Sequence, residues 1–175
     1  MIDFMIIAAP RSGTAWAANW LTTDKVICLH DPLFDYHFED LDAIDIPSKS
    51  MIGIACTGLA LFPKWVNKHP CPKVILHRSR DEVAASLAAA NLPPCAREIF
   101  DGLDRIAGLH RPWTDLYRRP RMIWEHLRED SFDEHRHKQL AQLNVTCDVP
   151  TRVQNPEVMK RIRATYHGKY HAALS

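Results

Sequence analysis

Arg11, Ser12, Gly13 and Thr14 stand together in the stretch Ala9-Pro10-Arg11-Ser12-Gly13-Thr14-Ala15-Trp16, and these residue types suit one kind of chemistry, the binding of an anion. An apolar run, Phe4-Met5-Ile6-Ile7-Ala8, precedes the stretch, and Ala17-Ala18-Asn19-Trp20-Leu21, with helical character, follows it. A strand, a short polar turn and a helix in that order present backbone donors to a ligand. The first N–H groups of the helix have no partner within it, and its dipole puts partial positive charge at the same end. Gly13 lets the backbone approach closely, Arg11 brings a full charge, and the hydroxyls of Ser12 and Thr14 add donors. The expected ligand is a phosphate or a sulfate. The alternative is a plain turn that caps a helix, with Arg11 in solvent.

The same residues count against magnesium-dependent hydrolysis of nucleoside triphosphates. The loop for that reaction reads G-x-x-x-x-G-K-[ST], with Lys on the terminal phosphates and Ser or Thr on the metal. Aligned on Gly13, this chain has Ala8 for the first glycine, Thr14 for the lysine and Ala15 for the metal-binding hydroxyl. A second group of candidates, His30 and Asp31, follows another apolar run in Cys28-Leu29-His30-Asp31-Pro32-Leu33. Either could take a proton from an acceptor, a contribution of about 10²–10⁴ in rate. Otherwise Asp31 caps the turn before Pro32 and His30 lies on the surface.

The Pro10-to-Trp16 stretch resembles the 5′-phosphosulfate loop of the sulfotransferases, P-[KR]-S-G-T-T-W. A second marker of that family is a strand ending in Arg with a Ser eight residues later on the following helix. Here Lys73-Val74-Ile75-Leu76-His77-Arg78 and Ser86 match it, with Asp81-Glu82-Val83 at the family's D-V element. Arg121-Met122-Ile123-Trp124-Glu125-His126-Leu127 is similar to the family's late v-x-Y-E-D-L strand, so the resemblance spans about residues 2–127. It implies 3′-phosphoadenosine 5′-phosphosulfate (PAPS) as donor substrate, with Arg11, Ser12, Gly13, Thr14 and Ala15 around the phosphosulfate. Arg78 and Ser86 are implied on the 3′-phosphate, and Trp16 either stacks on adenine or fills core. No metal is implied. Members acting on carbohydrates carry E-P where Asp31-Pro32 stands, which makes Asp31 the first choice of base, ahead of His30, with Arg11 on the leaving phosphate. Three features depart from the family pattern. Ala15 replaces the second threonine, no G-x-x-G-x-x-K segment follows, and the Cys56-Thr57-Gly58-Leu59 region has no histidine. The acceptor, a small molecule or a carbohydrate-like one, is therefore left unnamed. Two rival readings are a small phosphotransferase on a P-loop-like fold and a module that binds a nucleotide or phosphate without catalysis.

The elements that must position these groups read as alternating strands and helices. Apolar runs at Phe4–Ala9, Lys25–Leu29, Met51–Cys56, Lys73–His77 and Met122–Trp124 are the expected strands. Helices are expected near Thr14–Leu21, Leu59–Lys68, Arg80–Ala90 and Ala96–Leu109, and from Asn155-Pro156 to about His167. That order predicts an α/β fold, a three-layer P-loop NTPase-like arrangement around a central, mostly parallel five-stranded sheet. Arg11 and Arg78 both lie just past strand ends, the edge at which such sheets bind ligands. Ser79-Arg80-Asp81-Glu82 and Ser131-Phe132-Asp133-Glu134 have the form of capping boxes at helix starts. Arg78 could alternatively pair with Asp81 or Glu82 on the surface.

At 175 residues the chain is one domain's worth, residues 1–175, and large enough for a core. A formal net charge of +1 argues for neither nucleic acid nor an anionic membrane as partner. No apolar run approaches the ~20 residues of a membrane span, and a basic leader is missing, so the expected location is cytoplasmic. The five cysteines form no C-x-x-C and read as free thiols. The ten histidines, His135 and His137 beside Glu134 among them, lack paired ligand spacing and read as surface residues.

Overall fold

Four of the five expected strands form where the apolar runs lie. The structure, a computed structural model, describes residues 1–142. Its strands are β1 (Phe4–Ala8), β2 (Val26–His30), β3 (Met51–Cys56), β4 (Lys73–His77) and β5 (Leu109–Pro112). They form one sheet in the order β2-β3-β1-β4-β5, and every pairing is parallel. β1 is central and fully buried, as a strand covered on both faces must be. Its alternate residues feed two cores. Phe4, Ile6 and Ala8 pack with α1 (Thr14–Leu21) and α6 (Pro120–Leu127). Met5, Ile7 and Ala9 pack on the other face with Leu59, Val66, Val83 and Leu103. These belong to the 3-10 turn Gly58–Leu61, α2 (Pro63–Lys68), α3 (Arg80–Ala89) and α4 (Arg97–Leu103). The result is a three-layer α/β architecture.

The fifth strand is not the expected one. Met122–Trp124 lies inside α6, where Ile123, Trp124 and Leu127 are buried and Arg121 pairs with Glu125 one turn away. Pro120 opens that helix, a position at which its missing N–H is no loss. A three-residue apolar run is too short to show its period, and here the spacing of buried residues is helical. β5 instead falls at the end of the stretch expected to be helical. It is an edge strand of alternating burial, ending in a proline that only an edge tolerates.

Capping follows the same pattern of near agreement. At α3 the box is complete, with Glu82 N–H donating to Ser79 Oγ and Ser79 N–H to Glu82 Oε2. At α7 (Glu134–Gln142) the cap is Asp133 and not Ser131, because Asp133 Oδ1 accepts from Arg136 N–H at 2.9 Å. Residues before it are held otherwise. Arg128 pairs with Asp130 and donates to the Leu21 carbonyl, while Trp124 Nε1 donates to the Asp130 carbonyl. The helix expected from Asn155 to His167 lies outside the described residues.

The chain order creates a switch point beside the end of β1. β1 leads through α1 on one face to β2, whereas β3 leads through Gly58–Leu61 and α2 on the other face to β4. Adjacent strands thus send their connections to opposite faces, which opens a crevice at their carboxyl ends. Close packing fixes the α4 side of this frame. A Cβ on Gly102 would stand 1.8 Å from the Ala60 carbonyl oxygen, a clash with backbone. Gly102→Ala is expected to lower stability by about 3 kcal/mol, the upper end for overpacking. Urea unfolding would show a lower midpoint at unchanged slope; an unchanged midpoint would mean that α4 shifts freely.

Candidate functional site

The turn between β1 and α1 has the shape that an anion cradle needs. Arg11 (φ 63°) and Gly13 (φ 85°) are both left-handed, and Gly13 is the N-cap of α1. An arginine in this region costs about 1–3 kcal/mol, strain that clusters at ligand clamps. No side chain caps α1, and the first internal bond runs from Ala17 N–H to the Gly13 carbonyl. By helix geometry the N–H groups of Thr14, Ala15 and Trp16 have no partner within α1. The left-handed φ favours glycine here, and a Cβ would also press on Leu116 Cδ1 at 2.9 Å.

The hydroxyls of the loop do not behave as expected. Ser12 is fully buried, and its Oγ donates, at a long 3.5 Å, to the Pro10 carbonyl. Thr14 Oγ1 lies 3.1 Å from His30 Nε2. Both are committed inside the protein, so the loop offers backbone donors first. Trp16 takes the second of its two alternatives. It is 1% exposed, packs against Trp20, Tyr117 and His137, and donates from Nε1 to the Leu140 carbonyl. Trp16 is core, with no face left for a base.

The two markers that were far apart in sequence meet at this loop. Arg11 Nε donates to Ser86 Oγ at 3.3 Å, and Arg78 Nη1 donates to the Arg11 carbonyl. The Arg78 guanidinium also lies over the Trp113 ring, 4.6 Å from its centroid. Its Nε is buried and has no hydrogen-bond partner, a costly state for a charged donor. The surface pairing with Asp81 or Glu82 does not form: Glu82 serves the capping box, and the arginine that meets an acid is Arg80, with Asp101 at 3.1 Å. Lys73 is remote from this chemistry, its ammonium donating to the carbonyls of His69 and Cys71 at the start of β4.

His30 and Asp31 form a second cluster at the end of β2. Asp31 is left-handed (φ 42°), its N–H continues the ladder to the Ala55 carbonyl, and Oδ1 accepts from Thr57 N–H at 2.8 Å. Oδ2 lies 3.1 Å from His30 Nε2. Burial by itself would raise the carboxyl pKa, but the hydrogen bond and charge of His30, with the Thr57 N–H, outweigh it and hold the group below its ordinary value. Thr14 and Asp31 both approach the same ring nitrogen, and Nδ1 is buried without a partner. That arrangement rules out a hydroxyl–imidazole–carboxylate relay, which needs both nitrogens. A proton on His30 Nε2 suits both neighbours, and with Nδ1 buried inside the protein the Asp31 carboxylate is the group left to accept one.

Three residues of the region carry no motif. Thr57 supplies an N–H to Asp31, Trp113 covers Arg78, and Tyr117 sets its hydroxyl 3.9 Å from the place a Gly13 Cβ would occupy. Trp113 and Tyr117 follow β5, so missing that strand hid them. An open groove of about 590 Å³ lined by Phe132 and residues of α5 (Asp115–Arg118), α6 and α7 includes none of Arg11, His30, Asp31, Arg78 or Ser86.

Next to Arg78, His77 and His110 stack with Nε2 and Nδ1 2.7 Å apart, and His110 Nε2 lies 2.8 Å from the Ile106 carbonyl. Burial first, then the His110 charge, lowers the His77 pKa against an opposing pull from Asp104. The unfolded chain therefore binds a proton that the folded one resists, and stability falls as pH drops from about 6.5 toward the folded value. His77→Gln should show a shallower fall in Tm over that range than wild type; equal slopes would refute the assignment.

Burial pushes the Cys28 and Cys56 thiols up, so neither is a nucleophile at neutral pH. Cys28, Cys56, Cys71 and Cys95 are all free thiols. Among the described residues no three potential ligands gather to hold a metal ion, and no helix is long and apolar enough to cross a membrane. His137 is no surface residue: it is buried, with Nε2 2.8 Å from the Leu116 carbonyl. No protein-family model, curated protein or solved structure matches the chain.

Proposed function

We propose that the chain is a compact sulfotransferase of P-loop-like architecture that uses PAPS as donor. The observation that carries the reading is the meeting of Arg11, Arg78 and Ser86 beside the uncapped start of α1, with a buried arginine N–H left unpaired. Two anion-binding subsites side by side suit a donor with phosphate on both its 5′ and 3′ oxygens. In this reading the N–H groups from Gly13 to Trp16 face the phosphosulfate, and Arg78 with Ser86 faces the 3′-phosphate. Arg11 neutralises charge on the bisphosphate as its bond to sulfur breaks. Asp31 accepts the proton of the attacking hydroxyl or amine while His30 and Thr57 hold its carboxylate. No metal is assigned, because Thr14 and Ala15 stand where a triphosphate loop has its lysine and metal ligand. The acceptor side takes a small or carbohydrate-like molecule, and the free thiols support a cytoplasmic setting.

A second reading, nucleotide binding without transfer, draws on the internal commitment of the Ser12 and Thr14 hydroxyls. A phosphotransferase is the third. Incubation with PAPS and a panel of phenols, sugars and amines separates them. Sulfated product and 3′,5′-adenosine bisphosphate in equal amounts is the expected result. Bisphosphate binding with no product across the panel would favour the binding module, and magnesium-dependent phosphoryl transfer from ATP would replace the proposal.

A further inference from the structure

Arg78 is the residue on which the donor reading most depends, and what aims it is visible in the sheet. β4 and β5 pair in parallel with His77 opposite Pro112. One residue further, Trp113 N–H donates to the His77 carbonyl at 2.9 Å, extending the ladder past the strand end. That bond ties Trp113 to the residue immediately before Arg78. The indole then covers the guanidinium at 4.6 Å, and Tyr117 meets Trp113 edge-on at 6.1 Å. Tyr117 in turn packs on the buried Trp16. The Arg78 guanidinium is thus fixed on one side by the Arg11 carbonyl and on another by an aromatic plane set by sheet register, while its buried Nε remains unpaired. A guanidinium held in plane loses little freedom when it engages a phosphate.

We propose that Trp113 is a positioning residue that orients Arg78 toward a phosphate monoester, and so sets the preference of the site for a nucleoside carrying a second phosphate. This rests on the donor reading. The contact is made with or without ligand, so it acts by holding Arg78 in its phosphate-binding orientation, an effect of up to roughly tenfold on binding, felt only by ligands that touch Arg78.

The test is calorimetric titration of wild type, Trp113→Leu and Trp113→Phe with 3′,5′-adenosine bisphosphate and with 5′-AMP. Wild type is expected to prefer the bisphosphate. In Trp113→Leu the bisphosphate should weaken about tenfold with 5′-AMP changed less than about twofold, and Trp113→Phe should retain most of the preference. In an Arg78→Ala background, Trp113→Leu should add almost nothing. Equal weakening of both nucleotides, or full additivity with Arg78→Ala, would reduce Trp113 to packing. An unchanged preference in Trp113→Leu would overturn the proposal while leaving the donor reading intact. Wild type that binds neither nucleotide would remove the donor reading itself. Should Trp113→Leu fail to fold, Trp113→Met and its pairing with Arg78→Ala take its place, with the same selective loss of bisphosphate affinity expected and the same outcomes against it.

Discussion

Replacing Arg78 with alanine is expected to weaken 3′,5′-adenosine bisphosphate binding about 100-fold. Two charge-assisted hydrogen bonds from a fixed guanidinium, at about 1.5 kcal/mol each, correspond to a loss of that size. The substitution also frees the Arg11 carbonyl, to which Arg78 Nη1 donates, and so loosens a loop residue that is already left-handed. Arg78→Lys separates the two contributions. It keeps the charge but loses the fork and the flat surface that lies on Trp113, so an intermediate loss of about tenfold is expected. Thermal stability should change little, since Arg78 is half-buried at a strand end and makes no ion pair with Asp81 or Glu82. Unchanged affinity in Arg78→Ala would mean that the unpaired Nε has no ligand to meet.

The second large effect lies at Asp31. Asp31→Asn should reduce sulfuryl transfer about 100-fold with bisphosphate affinity altered less than about twofold. The reduction is set at the lower end of the range for general-base catalysis, because a carboxylate held below its ordinary pKa is a weak base. The amide keeps an oxygen for Thr57 N–H, so the turn after β2 should survive. The same depressed pKa fixes the sign of the pH dependence. The carboxylate, and the stability it lends, are present above the unfolded value near 4 and are lost as pH falls through the lower folded value. Wild-type turnover should therefore persist into mildly acidic buffer. A proportional loss of binding and turnover in Asp31→Asn would assign this residue to the fold of the loop instead.

The parts of this site that were legible in the sequence are those with local signals. Phe4 to Ala8 announces a strand by its continuous apolar run, Gly13 marks the turn into α1, and Ser79 with Glu82 marks the start of α3. Arg78 and Ser86 stood out only through the resemblance to a sulfotransferase marker, and the fold brings both to Arg11. What the sequence concealed depends on distant partners. β5 has no apolar run because its side chains only alternate between half-buried and exposed at the sheet edge, and missing it hid Trp113 and Tyr117. Thr57 acts through its N–H, which no side-chain pattern reports. Trp16 suits a helix whether it faces a ligand or the core, and only packing against Trp20 and His137 settles it as core.

The most direct measurement is calorimetric titration of the wild-type chain with 3′,5′-adenosine bisphosphate, set beside ATP with magnesium. A PAPS-dependent enzyme should bind the bisphosphate with micromolar affinity and magnesium-ATP much more weakly. No binding of the bisphosphate, or a preference for magnesium-ATP, would contradict it.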